Sequence, residues 1–514
     1  MLAGARPTFQ QYFPKFQILL VIWSPLLWTG NAANILILFP YFVRSHLAFH
    51  TAIARSLQAA GHHITVVHPF SQDAVHQNFT FIDATRPDKP EESNFVPVNE
   101  VLQITNSVKM IIMLTKDTEI DCHQTIRIKE IQQILQSKEK QFDVIIADLV
   151  GSMFECFLPI AEILQIPFIG TVGARSWRNN EQIMGNPYNP AIVPMEMSSM
   201  PPKMNFIQRS KNAWICIFDI LLHSLFVYPK VEAFYEKHFP DLSFRRRIKP
   251  ALLLVNDHPV FVPRPVAPNV VYIGGIHLTP AKPLPKNLQE FMDDADHGVI
   301  LFTLGSLVKM FPKNSKEVHI FKTVFAQIPQ RVIWKSEEEI EDLPSNVLVS
   351  KWLPQRDILA HKNLITFISH CGLSGIYEAV FEGKPLIMLP TCFDQMSNAA
   401  VLANLGVGLV LDAREITANG VLDALNSVIN DSTYRKRMQT ISNIIKNAPM
   451  TPQESVVYWT EYIIRHKGAE HLRTSEADMA IHQDLLFYLL IFLFAILLFF
   501  SLLVNRILKK VYLH

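Results

Sequence analysis

Short, unbroken runs of apolar residues recur along this chain, separated by stretches with helical spacing. In the first half the runs are NILILFP (34–40), HHITVVHPF (62–70), FDVIIAD (142–148), IPFIGTV (166–172) and ALLLVND (251–257). In the second half they are GVILFTLGS, RVIWKS, VLVSKW, LITFIS, PLIMLP and GVGLVLD, between residues 298 and 412. Strand-like length and a wealth of β-branched residues mark them as buried strands. Helical patterns lie between, such as HLAFHTAIARSLQAAG, which stops at Gly61, and IKEIQQILQSKEK. Apolar strands joined by helical crossovers predict parallel sheets covered on both faces. Two such sets predict an α/β protein of two Rossmann-like domains, 34–280 and 281–480. The Pro-rich stretch 280–285 is the expected linker, because proline resists both helix and sheet. The segment 179–205, dense in Pro, Met and Asn, reads as loop.

The two ends carry longer apolar runs. Lys15, then Ile18 to Trp28, then Gly30-Asn31-Ala32-Ala33, has the order of a secretory signal peptide, expected over 1–33 with cleavage near Ala32 or Ala33. Leu485 to Val504 contains no charge and has about the length a helix needs to cross a bilayer. Arg506, Lys509 and Lys510 follow it. The positive-inside rule therefore places 505–514 in the cytosol and the body of the chain in the lumen. Asn78-Phe79-Thr80 and Asn430-Asp431-Ser432 are glycosylation sequons, which suit that side of the membrane.

Composition changes the picture little. The 514 residues suffice for two domains with sizeable cores. A formal net charge of +1 gives no reason to expect nucleic acid or an acidic partner. The five cysteines, Cys122, Cys156, Cys216, Cys371 and Cys392, are scattered and odd in number. Neither a disulfide framework nor a zinc site is expected from them, and buried thiols are.

Chemistry concentrates between Trp352 and Asn398. The run Leu364–Ser369 ends in His370-Cys371-Gly372-Leu373-Ser374-Gly375 and continues with helical character from Ile376 to Glu382. A strand feeding a small-residue turn that opens a helix can bind phosphate. The first N–H groups of the helix lack partners, and the peptide dipoles favour an anion there. The spacing matches neither the dinucleotide fingerprint nor the NTPase phosphate loop. Polar or aromatic residues also stand at strand ends elsewhere: His46, Asp148, Ser306, Trp352 and Asp394. In open parallel sheets ligands bind beyond those ends, so the six positions together suit a cleft between two domains. Taken singly, such residues have ordinary readings: a capping or solvated histidine, a core tryptophan and, for Glu378 in the following helix, a solvated face.

The block closely resembles the signature of the UDP-glycosyltransferases that act on small lipophilic molecules, a family of GT-B fold. Matching elements are Trp352-x-Pro354-Gln355, His361, Ser369-His370-x-Gly372, Glu378-Ala379, Gly383-x-Pro385 and Asp394-Gln395-x-x-Asn398, with PNVVYIGGIHL, FTLGS and YWTEYIIRHKGAEHLR outside it. The likeness runs from about residue 34 to the C-terminus. It implies a UDP-sugar donor, no metal, and residence in the endoplasmic reticulum membrane. The two terminal lysines, however, sit farther from the end than the strict dilysine retrieval pattern. His46 and Asp148 match the family's catalytic pair. Histidine suits a general base, and a carboxylate on its far nitrogen orients the ring and stabilises the imidazolium. Trp352 would stack on uracil beside Gln355, and Glu378 would accept from the ribose hydroxyls. His370 and Ser306 would contact the diphosphate, with backbone N–H groups around Gly372, Ser374 and Gly375. Asp394 and Gln395 would hold sugar hydroxyls, with Asn398 near the phosphate. The run from Val456 to Ile464 resembles the family's crossover back onto the first domain.

Departures bear on the donor. Cys371 stands where a second glycine is frequent, and Leu373-Ser374 where many relatives have Ala-Asn. Gln395 argues against galactose-type relatives. An ungapped placement from Val262–Pro265 puts Val255 where many glucuronosyltransferases have an arginine facing the sugar carboxylate. The expectation is UDP-glucose first and UDP-glucuronate second, transferred with inversion to a small acceptor, with 179–205 near the acceptor pocket. The rival is a catalytically silent relative that binds lipophiles or regulates a partner. Oligomeric state is left open.

Overall fold

The computed structural model describes residues 32–40, 44–69, 79–85, 96–97, 107–137, 139, 141–244, 247–305, 308–309, 311–478 and 485–512. The expected signal peptide (but for its last residues), Asn78 and Ser306 lie outside these residues.

Fifteen strands are described. They are β1 (Asn34–Leu38), β2 (His63–His68), β3 (Thr80–Asp83), β4 (Val96–Pro97), β5 (Val144–Asp148), β6 (Phe168–Val172), β7 (Leu252–Val255) and β8 (Val270–Tyr272) in the first half. In the second half they are β9 (Val299–Thr303), β10 (Val308–Lys309), β11 (Arg331–Lys335), β12 (Val347–Ser350), β13 (Leu364–Ser369), β14 (Leu386–Met388) and β15 (Gly408–Val410). One parallel sheet has the order β3-β2-β1-β5-β6-β7-β8 and the other β12-β11-β9-β13-β14-β15. Each sheet begins in its middle, winds outward one way, then returns to wind the other way. The order reverses between β1 and β5 in the first sheet and between β9 and β13 in the second. Loops diverge at such a reversal and leave a crevice.

Side-chain alternation explains why both faces are dry. Leu36 and Leu38 enter one core of the first sheet, while Ile35 and Ile37 enter the core on the opposite face. In the second sheet Ile300 and Phe302 point one way, and Val299 and Leu301 the other. A period of two with apolar residues at every position produces a sheet sandwiched by helices.

The chain passes between the halves twice. It leaves the first through 274–285, where Gly274 leaves the space that the Tyr377 ring fills; a Cβ there would stand 1.9 Å from the hydroxyl. It returns through the helix Pro452–Arg465, started by Thr451 and Glu454 in a capping box with Pro452 in the first turn. Val456 and Ile463 of that helix join Phe49, Ile53 and Leu57 in a first-half core, as the sequence resemblance implied. Gln453 Nε2 donates to the Ile276 carbonyl at 2.8 Å and ties the two passages together. A third link is backbone pairing of β10 with β4, Val308 opposite Val96.

Three expectations need correction. Cys122 and Cys156, 34 residues apart, form a disulfide that joins the helix Ser107–Arg127 to the 3-10 turn Ser152–Phe157. The remaining three cysteines are buried thiols. The segment 179–205 is not all loop, because the helix Arg178–Met184 covers its start. Val255 is wholly buried in the first-half core, not turned to a crevice, so its apolar character reflects packing. At the C-terminal end Leu485–Tyr512 forms one helix, apolar from Leu490 and exposed along Leu490 to Val504.

Candidate active site

His46 sits in the first turns of the helix Arg44–Ala59, just beyond β1, and Asp148 is the last residue of the adjacent β5. Both lie where the first sheet reverses. His46 Nδ1 and Asp148 Oδ2 are 3.1 Å apart, and Asp148 Oδ1 accepts from the Val150 amide at 2.8 Å. An ionised carboxylate only accepts, which fixes the proton on Nδ1 and leaves Nε2 as the nitrogen to take a proton. Asp143, at the other end of this strand, accepts from the Asn34 amide at 3.0 Å and so has the structural role expected of it.

His50 is not a second base. It is buried against Phe39, with Nε2 2.7 Å from Thr171 Oγ1 and Nδ1 2.9 Å from the His46 carbonyl oxygen. Burial pushes its pKa down to about 4, so it stays neutral and braces the turn. Gly173, just past β6, lies against the His46 ring, and a Cβ there would stand 2.9 Å from Nδ1.

The second sheet reverses between β9 and β13. Beyond β13 the chain turns through His370 and Cys371, the latter at φ +66°, and enters the helix Leu373–Phe381 from Gly372. Ser369 Oγ accepts from the Cys371 amide at 3.1 Å and holds that turn. The His370 ring lies between Gly305 and Gly372; Cβ atoms there would stand 2.5 and 2.4 Å from it. Its Nδ1 is buried and has no hydrogen-bond partner among the described residues. Burial, then the Lys335 charge, lower its pKa to about 4. In the free protein this ring is therefore a neutral hydrogen-bonding group, and the positive potential comes from the helix N-terminus.

Trp352 is 73% exposed, which excludes the core-packing reading of a lone tryptophan. Gln355 Nε2 donates to Glu378 Oε2 at 2.5 Å and packs 3.3 Å from where a Gly375 Cβ would be. Burial raises the Glu378 carboxyl to about 7. The Ser374 carbonyl accepts from His277 Nε2 at 3.1 Å, which anchors the helix start to the GGIHL segment.

Asp394 precedes the helix Gln395–Leu405 and accepts from Asn398 Nδ2 at 2.7 Å. Asn398 Nδ2 also reaches the Cys371 carbonyl at 3.1 Å, joining this turn to the His370 turn. Burial raises the Asp394 pKa, and the nearby His46 and Arg175 counteract that rise. The two halves meet beside this turn. A small cavity between them is lined by Arg175, Glu196 and Asp257 on one side and Ser397 and Val401 on the other. Gln395 departs from expectation. It is 4% exposed, and its Oε1 accepts from the Thr391 amide, the Thr391 hydroxyl and the Cys392 amide. That oxygen shapes the turn, and Nε2 donates to Cys392 Sγ at 3.5 Å, so one N–H of Nε2 is left for a sugar hydroxyl.

Gly173, Arg175 and Asp257 were not singled out from sequence. All three follow the ends of β6 or β7, so the strand-end rule that found His46 applies equally to them. Arg175 Nε stands 3.6 Å from Asp257 Oδ2. His361 belongs to the matching signature but not to the site: its Nδ1 accepts from the Asn363 amide at 3.2 Å and stabilises a turn. Among the described residues no group of three or more His, Cys, Asp or Glu could hold a metal ion.

Residues 35–514 match the family described as UDP-glucoronosyl and UDP-glucosyl transferase. The chain belongs to this family. Within it, the chain is 37% identical over 509 residues to UDP-glucosyltransferase 2 of Dactylopius coccus, covering 97% of this chain and 96% of the relative. It is 34% identical over 367 residues to human UDP-glucuronosyltransferase 2B17, covering 70% and 67%. Among solved structures it is similar to a UDP-glucosyltransferase from Polygonum tinctorium, with TM-score 0.57 at 16% identity over 85% of this chain and 99% of that one. The calicheamicin glycosyltransferase CalG4 gives TM-score 0.59 at 16% identity, over 85% and 99%. The fold is thus GT-B, and the family's activity is transfer of a sugar from a UDP-sugar to a small acceptor.

Proposed function

We propose that this UDP-glycosyltransferase transfers glucose from UDP-glucose to a hydroxyl of a small lipophilic acceptor, with inversion. His46 Nε2 takes the hydroxyl proton while the acceptor oxygen forms its bond to the anomeric carbon. The bond from that carbon to the diphosphate oxygen breaks on the opposite face, and UDP leaves with the electron pair. Asp148 stabilises the imidazolium as it forms. On the donor side Trp352 stacks on uracil and Glu378 accepts from ribose. His370, Ser306 and the amides around Gly372, Ser374 and Gly375 meet the diphosphate, with Asn398 beside them. Asp394 holds sugar hydroxyls with help from Gln395 Nε2. Residues 34–280 form the acceptor half and 281–480 the donor half.

The observation that carries this reading is the His46 Nδ1–Asp148 Oδ2 pair, 3.1 Å apart, at the strand ends where the first sheet reverses. Preference for a neutral sugar no longer draws on Val255. It is supported by Arg175, which is already paired with Asp257 at 3.6 Å. A glucuronate would bring a second negative charge to that one cation. The name of the Dactylopius coccus relative favours the same donor. We further read 1–33 as a signal peptide and Leu485–Val504 as a single span of the endoplasmic reticulum membrane, with both halves lumenal.

The test is purified full-length enzyme with phenols and sterols, each against UDP-glucose and UDP-glucuronate. UDP-glucose is expected to give kcat/KM about tenfold higher or more, a difference of about 1.4 kcal/mol. Equal or reversed efficiencies would sink the donor assignment.

A further inference from the structure

The helix Phe206–Leu222 is built inside out. It continues through one wide turn, His223–Val227, into the helix Tyr228–His238. A surface helix of a soluble protein buries its apolar stripe and turns polar residues outward. Here two polar residues, Asn212 and Asp219, face inward. Asn212 donates to the Pro190 and Val193 carbonyls at 2.7 and 2.8 Å and accepts from the Met195 amide at 2.9 Å. Asp219 pairs with Arg178 at 2.7 Å and with His223 at 3.2 Å. Outward lie Ile207, Trp214, Phe218, Leu221 and Leu225, spaced to share one face, with Phe206 beside them. Phe206 is 83% exposed, Trp214 71% and Leu225 66%, and the other three are each more than half exposed.

Charge says what covers this face. Lys203, Arg209 and Lys211 are exposed at the start of the helix. Asp219 is the only carboxylate between Phe206 and Val227, and it is spent on Arg178. An apolar stripe with an aromatic ring, edged only by cations, is complementary to a bilayer surface carrying anionic headgroups. The segment is long and apolar enough to cross a membrane. Its inner face is hydrogen-bonded into the fold, however, so it would lie in the plane of the surface. We propose that this face of the Phe206–Val227 segment is a membrane-contact surface that rests among anionic lipid headgroups.

The placement has a functional corollary, which rests on the acceptor reading above. The loop held by Asn212 contributes Val193 and Glu196 to the crevice cavity. A hydroxylated lipophile dissolved in the bilayer would therefore meet the site beside the surface where it is stored.

The test uses the full-length chain with Leu221→Cys carrying an environment-sensitive fluorophore; Cys216, Cys371 and Cys392 are buried and stay unlabelled. The protein is reconstituted in phosphatidylcholine vesicles with about 30% phosphatidylserine and headgroup-proximal nitroxide lipids. A label at Lys436→Cys, exposed on the donor half, is the control. The label at 221 is expected to shift to the blue and to be quenched about threefold more than the control. Equal quenching would overturn the proposal. So would a shift that persists in lipid-free detergent and grows with protein concentration, since the face would then cover a second copy. Phe218→Ser with Leu221→Ser should raise KM severalfold for a bilayer-partitioning phenol in vesicles, while leaving a water-soluble phenol unchanged. Parallel losses on both phenols would overturn the corollary. The fluorescence readout needs no turnover, so an inactive but quenched protein would sink the enzymatic reading and leave this one standing.

Discussion

An imidazole serves as a base best when a carboxylate orients it, and His46 Nδ1 stands 3.1 Å from Asp148 Oδ2. His46→Ala should lower kcat by about 10²–10⁴-fold. Its UDP affinity, measured by calorimetry, should stay near that of the native protein, because the nucleotide cradle lies in the other half. Lost UDP affinity would move the base elsewhere. Glu378 gives a second prediction. Its carboxyl is held at about 7 by burial, so it is mainly protonated at acid pH and ionised at alkaline pH. A ribose hydroxyl donates best to the ionised form, so UDP affinity should rise as pH climbs through 7. In Glu378→Gln that rise should vanish. His370, at about 4, stays neutral over this range in the free protein and does not mask the effect. The pairing of His46 with Asp148 and the departure of Trp352 from a core position agree with the reading of the sequence, where chemistry dictates residue type. Gln395 was not, because a sequence shows an amide without showing which way it turns. Arg175 was missed because no motif marked it, although it too follows a strand end.

At the scale of elements, strand β6 shows how backbone limits side chains. Gly173→Val would drive methyl groups into the His46 ring, which a Cβ alone would approach to 2.9 Å. Activity should fall by about tenfold or more, as expected of a displaced base, with UDP binding intact. Gly173→Ala should be milder; equal losses would argue against steric displacement. The disulfide supports a stability prediction. Opening the Cys122–Cys156 loop of 34 residues by double substitution to serine should cost about 3–4 kcal/mol by loop-closure entropy. A thermal midpoint unchanged in non-reducing buffer would refute it. The long apolar strands were legible because their composition leaves them no other home. Strands β3, β4, β8 and β10 were not, being short and set by pairing rather than by pattern. The pairing of two among five cysteines depends on where a helix and a 3-10 turn meet, which spacing does not encode. The helix from Phe206 escaped notice because its outward face has the composition of an inward one.

At the scale of the whole molecule, a doubly wound sheet in each half was readable from the alternation of apolar runs and helical stretches. Which residues face each other was not, since that depends on how the halves close. UDP should slow amide exchange along Leu373–Phe381 and, across the cavity lined by Arg175, Ser176, Ser397 and Val401, in the first-half segment 173–176. Protection confined to the donor half would mean the crevice stays open on nucleotide binding. The two side-by-side passages near Ile276 and Gln453 bear directly on this motion. One connecting thread would let the lobes twist, slide and swing; two threads fastened together act as the spine of a book and permit only swinging. The β4–β10 pair is then the clasp. A backbone change at Val308 or Val96 would loosen that clasp, far from any atom that reacts.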